Sequence, residues 1–98
     1  MSRWATRPDA NHGEIKRAFI RLLGSRNVFD CWQFGKGFPD LVISIDGVCM
    51  LVEVKTLTGR LKQSQRAFPL LRVIVRTVDD VLDAVNTLRH WAAIVGEL

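Results

Sequence analysis

The sequence predicts an α/β fold, a small mixed β-sheet flanked by helices. Three observations carry that reading. Helical and strand periodicities alternate along the chain in the order helix, three strands, helix, strand, helix. An Asp46-Gly47 pair between two apolar runs marks a tight hairpin. The 98 residues, 48% hydrophobic and 24% charged, are enough for one core and too few for two.

Residues 1–8, with two arginines and a proline, read as a loose basic arm before a single domain over residues 9–98. Asp9 or Asn11 caps the first helix. Ile15, Ala18, Phe19, Leu22 and Leu23 recur at the spacing of one buried helical face, and Gly24 ends the helix. Residues 28–34 are rich in aromatic and β-compatible side chains and read as a strand. Gly35-Lys36-Gly37 breaks it. Pro39 opens a second strand over 40–45, and residues 48–55 return from the Asp46-Gly47 turn. Thr58-Gly59 is a turn before a short amphipathic helix carrying Leu61, Gln65 and Phe68, cut by Pro69. Residues 72–76 form another strand. Thr77 caps the last helix, with Asp80 completing a capping box. The expected buried face of that helix is Val78, Val81, Leu82, Val85 and Leu88, extended by Trp91 and Val95.

Composition excludes several classes. No apolar run approaches the roughly 20 residues of a membrane span. The opening from Met1 to Pro8 lacks the pattern of a secretory signal, so the cytoplasm is the expected compartment. Cys31 and Cys49, with the distant His12 and His90, cannot assemble a structural zinc site, and both cysteines are expected to be small buried residues. Net charge is +4, but unevenly spread. Residues 1–76 carry 13 basic and 6 acidic side chains, a net of +7; residues 77–98 carry 1 and 4, a net of −3. The first three quarters of the chain suit a polyanion, or else form an ordinary solvated surface.

The hairpin permits a geometric deduction. A two-residue turn pairs Ile45 with Val48, so Asp40 falls opposite Glu53. Alternation then puts Asp40, Glu53 and Lys55 on one face, the two carboxylates about 5 Å apart at Cβ. Such a pair repels itself unless a cation offsets the charge, and hard oxygen ligands suit magnesium or manganese. Lys55 adds an ammonium beside a metal-bound water and a phosphate. Taken singly, Glu53 and Lys55 also read as a solvated strand face and Asp40 as a turn cap. The three together point to phosphodiester hydrolysis.

These residues carry a resemblance. Gly37-Phe38-Pro39-Asp40-Leu41, Leu51-Val52-Glu53-Val54-Lys55, and Gly59-Arg60-Leu61 followed by Gln65 resemble the VRR-NUC (virus-type replication–repair nuclease) group of the PD-(D/E)XK nuclease superfamily. The resemblance runs from about Asp9 to about Val85. It implies an αβββαβ restriction-endonuclease-like core with an extra C-terminal helix. It implies Asp40, Glu53 and the Val54 carbonyl as metal ligands, Lys55 as the catalytic lysine and Gln65 as a supporting residue. It also implies an acidic residue on the first helix. Glu14 is the only acid inside that helix, and it reads equally as a solvated carboxylate favoured by the helix dipole.

The implied activity is that of a metal-dependent DNA endonuclease cutting branched DNA such as four-way junctions as a homodimer, in the cytoplasm of a bacterial or phage-infected cell. A dimer is also reasonable for so small a core, with Trp91, Ala92, Ile94 and Val95 as one candidate surface. Neither a membrane nor a small-molecule substrate is expected. Arg17, Arg21, Lys36, Arg60, Lys62 and Arg66 are candidate phosphate contacts. Gly35-Lys36-Gly37 either admits a phosphate to the backbone or is a plain loop. Trp4 either stacks on a base or covers the core; Trp32 and Trp91 read as packing residues. The alternative is a non-catalytic or partner-dependent nucleic-acid-binding module that retains a nuclease fold.

Overall fold

The computed structural model describes residues 10–67 and 70–98. The arm over 1–8, the Asp9 cap, Trp4, Phe68 and Pro69 lie outside the described residues. The elements are α1 (Ala10–Leu23), β1 (Val28–Asp30), β2 (Leu41–Ile45), β3 (Val48–Val54), α2 (Gln63–Ala67), β4 (Val73–Val75) and α3 (Val78–Gly96), with short 3-10 turns at Ser25–Asn27 and Trp32–Phe34. The order is the one the sequence predicts.

The sheet runs β1-β2-β3-β4, antiparallel across the first two pairings and parallel across β3 and β4. Its register is set at the hairpin. Asp46 and Gly47 have φ of 51° and 83°, the positive pair a type I′ turn needs, and Ile45 faces Val48. The ladder continues to Leu41 opposite Val52. One face of the sheet, with Leu41, Ile43, Met50, Val52, Val54 and Val75, packs on Ile15 and Phe19 of α1 and Val81, Val85 and Leu88 of α3. Alternation turns Asp40, Glu53 and Arg72 to the other face, which α2 covers at one end.

Several local expectations are corrected. The first strand stops at Asp30, not at residue 34. There the Cys31 N–H bonds the Asp40 carbonyl at 2.7 Å, and Asp30 is tied to α1 by Lys16 Nζ at 3.0 Å, with His12 Nε2 at 3.6 Å. Trp32–Phe34 then coil into a 3-10 turn. Asn11 lies inside α1 and does not cap it. Gly24 does end α1: its φ is 88° and its N–H reaches the Ile20 carbonyl at 2.7 Å.

Thr77 and Asp80 form the full capping box of α3. The buried stripe of that helix, however, is Val81, Ala84, Val85, Leu88 and Ala92, leaving Val78, Leu82, Trp91 and Val95 exposed. The two alanines let α3 lie close, and the larger residues one step round the helix turn outward. Cys31 is buried as expected, but Cys49 is exposed on the sheet face away from α1 and α3; both are free thiols. Among the described residues no helix is long and apolar enough to cross a membrane.

Candidate active site

The site forms where β2 begins and β3 ends. Pro39 delivers the chain into β2, and Asp40 stands one step beyond the Leu41–Val52 pair, beside Glu53. Asp40 is held at both ends. Its carbonyl accepts from Cys31, and its Oδ2 accepts from the Val54 N–H at 3.0 Å. Val54 thus meets the Asp40 carboxylate through its backbone N–H, while its side chain joins the core.

Glu53 is fully buried, at 1% exposure. A buried carboxyl needs partners, and besides the side chain of Asp40 it has three more. Arg72 Nη1 stands 3.1 Å from Oε1, Gln65 Nε2 donates to Oε2 at 2.8 Å, and Lys55 Nζ lies 3.9 Å from Oε2. Burial and the negative charge of Asp40 push the Glu53 carboxyl up to about 7, against the pull of Lys55 and Arg72. Lys55 is fixed by its backbone. Its N–H continues the parallel ladder to the Val75 carbonyl at 3.0 Å, and its carbonyl accepts from Asn11 Nδ2 at 3.0 Å.

α2 is positioned by hydrogen bonds through Gln65, whose side chain reaches Glu53 and whose carbonyl accepts from Arg72. The Gln65 Oε1 accepts from the Lys62 N–H at 2.7 Å, which orients its amide so that Nε2 points to Glu53. Gly37 allows the approach: a Cβ there would sit 2.0 Å from the Ser64 carbonyl oxygen, so any side chain would push α2 off the site.

Arg72 is the main residue that sequence reasoning missed. Besides Glu53 it donates to the carbonyls of Gly37 and Gln65. One nearly buried guanidinium thereby joins the carboxylate, the loop before β2 and α2. Arg76 plays a similar part nearby, binding the Thr56 and Gly59 carbonyls at 2.6 and 2.7 Å. The available signal was alternation: Arg72, Ile74 and Arg76 share a strand face with Glu53 once β3 and β4 are paired.

The structure therefore brings Asp40, Glu53, Lys55 and Gln65 together and leaves Glu14 out. Glu14 is exposed on α1, and among the described residues no three His, Cys, Asp or Glu side chains gather as a metal site. The α1 side chain that bonds at the site is Asn11, whose amide donates to the Lys55 carbonyl. Arg17, Arg21, Lys36, Arg60, Lys62 and Arg66 are all exposed. Of these, Lys36 and Lys62 line a cleft together with Asp40 and Gln65.

The donor set suits a hard divalent ion. Asp40 and Glu53 are adjacent carboxylates in a buried setting, where like charge is costly without a cation.

No curated protein and no solved structure matches the chain. The family model for the VRR-NUC domain matches residues 7–77. That span covers most of the chain and holds Asp40, Glu53, Lys55, Gln65 and Arg72, so the chain belongs to the VRR-NUC family of nuclease domains.

Proposed function

We propose that the chain is a metal-dependent endonuclease that hydrolyses phosphodiester bonds in DNA, with magnesium or manganese held by Asp40, Glu53 and the Val54 carbonyl. The observation that carries this reading is the buried carboxylate pair with Lys55 Nζ 3.9 Å from Glu53. Bound there, the divalent ion supplies positive charge to the phosphate and makes a water a better nucleophile.

The chain's own residues do the rest. Lys55 stabilises charge that develops on the phosphate oxygens, in a setting where its side chain is only 13% exposed and poorly screened by water. Gln65 and Arg72 fix the Glu53 carboxylate, one on each oxygen, so that it needs little reorganisation during the reaction. The exposed cations Arg17, Arg21, Lys36, Arg60, Lys62 and Arg66 meet the DNA backbone.

The same reading takes the enzyme as a homodimer that prefers branched DNA. Two copies supply two sites for two strands, and Trp91, Ile94 and Val95, exposed on α3, offer an apolar face for the contact. The test is cleavage of labelled linear, nicked, flap and four-way DNAs with magnesium or manganese, alongside the solution mass by sedimentation. Cutting of branched DNA by a dimer is expected. A monomer that cuts all substrates alike would remove the dimer and the preference; absence of cutting on every substrate would remove the activity.

A further inference from the structure

Residues 35–38 form a tight turn. The Phe38 N–H donates to the Gly35 carbonyl at 2.9 Å, with φ of 56° at Lys36 and 81° at Gly37. Two central residues of positive φ are the mark of a type I′ turn. The conformation suits Gly37. It strains Lys36, because a Cβ in the left-handed region crowds the neighbouring carbonyl, and Asn, Asp or Gly is the usual occupant. A lysine there stores strain at the edge of the site, where strain commonly accompanies function.

Beside this turn lies a cleft of about 180 Å³. Asp40 and Gln65 line it on the side of the carboxylates. Lys36 and Lys62, both exposed, add two ammonium groups. Trp32 and Phe38, both half-buried, add two rings, Phe38 being braced edge-on by Phe34 at 5.2 Å between centroids. Cations for the backbone and a ring for the base are the chemistry by which proteins hold single-stranded nucleic acid. A base inside a duplex has both faces covered by its neighbours, so only an unpaired base can stack on a protein ring.

We propose that this cleft binds an unpaired nucleotide next to the phosphate that is cut, its phosphate between Lys36 and Lys62 and its base on Trp32. The proposal rests on the nuclease reading above and gives selectivity for flaps and other branches with unpaired nucleotides a physical cause. DNA that already carries an unpaired nucleotide beside the cut fills the cleft; intact duplex must first give up stacking and pairing.

The experiment titrates a dye-labelled six-nucleotide oligothymidylate without divalent metal, so that nothing is cut. It compares the wild type with Lys36→Asn, Trp32→Leu and Trp32→Phe by anisotropy over a range of salt, with thermal melts of the same samples. Trp32→Leu should weaken binding about five- to a hundred-fold, and Trp32→Phe should restore most of it, because a ring of any kind stacks. Lys36→Asn should flatten the salt dependence by about 0.7 in log–log slope. It should also raise the melting temperature by a few degrees, since asparagine tolerates the left-handed turn.

Oligonucleotide binding that is unchanged in both Lys36→Asn and Trp32→Leu overturns the proposal, as does a Trp32→Phe variant no better than Trp32→Leu. Cleavage by the wild type is measured in parallel. Cutting with unchanged oligonucleotide binding in the variants overturns the cleft alone. Trp32-dependent binding with no cutting under either metal supports the cleft and overturns the nuclease reading.

Discussion

Arg72 and Glu53 form a buried ion pair, Nη1 to Oε1 at 3.1 Å, with both side chains almost wholly removed from solvent. The pair spans two parallel strands and is closed by the Gly37 and Gln65 carbonyls, which take further guanidinium protons. Removing the arginine leaves a carboxyl, two carbonyls and their desolvation uncompensated. Loss of one partner of a buried pair costs about 3–5 kcal/mol. The lower end applies here, because Glu53 can take up a proton when its cation is gone. Arg72→Ala should therefore lose about 3 kcal/mol in denaturant unfolding. Adding Glu53→Gln to it should recover part of that loss. Purely additive effects of the two substitutions would show that the pair carries no coupling.

A pH dependence follows from Glu53 itself. Its carboxyl is raised from 4.5 to about 7 in the folded chain, chiefly by burial. The folded state thus binds the proton more tightly than the unfolded state. The resulting stability is full below about pH 4.5 and is lost as pH rises through about 7. The metal-free protein should lose about 1–3 kcal/mol across that window from this group. Glu53→Gln, which keeps an acceptor for Arg72, should show a flatter profile there. Equal slopes for wild type and variant, compared by thermal melts from pH 4.5 to 8, would remove Glu53 as the cause.

Most of this site was legible because a local turn sets its register. Asp46-Gly47 fixes the β2–β3 pairing, and alternation then carries Asp40, Glu53 and Lys55 to one face with no tertiary information. Arg72 was not legible in that way. It reaches Glu53 through a parallel pairing whose register depends on the whole crossover between β3 and β4, and no short motif sets that. Glu14 was named from a loose motif that fixes no register; the side chain of α1 that bonds at the site is Asn11, one turn earlier on the same helix, through the Lys55 carbonyl. On α3, apolar residues surround much of the helix, so periodicity alone could not choose the stripe through Ala84 and Ala92.

Lys55 should matter to chemistry more than to folding. Its ammonium is 3.9 Å from Glu53, while its backbone, not its side chain, makes the bonds to Val75 and Asn11. Lys55→Ala should lower cleavage about a hundred- to a thousandfold, the usual loss for one preorganised charge acting on a transition state. DNA binding measured without metal should change by no more than one exposed phosphate contact would explain. A variant that cuts at the wild-type rate would take Lys55 out of the reaction.

The carboxylate pair gives the most direct test of the metal. Asp40 and Glu53 repel each other, and an ion bound only by the folded site shifts the folding equilibrium by mass action. At a concentration 100 times its dissociation constant, magnesium or manganese should add about 2.7 kcal/mol. For a domain of this size, each kcal/mol shifts the melting temperature by roughly 4–8 °C. The gain should shrink below about pH 7, where Glu53 holds a proton that the ion must displace. Asp40→Asn keeps an oxygen that can accept from the Val54 N–H, so the fold should survive. It also removes the Asp40 charge, which adds to burial in raising Glu53, so the metal-free variant should be at least as stable as the wild type at pH 7. The metal-dependent gain and the cleavage should both vanish. A strongly destabilised Asp40→Asn with an undiminished response to metal would instead make Asp40 a structural anchor for Val54 and Cys31, and would place the ion elsewhere.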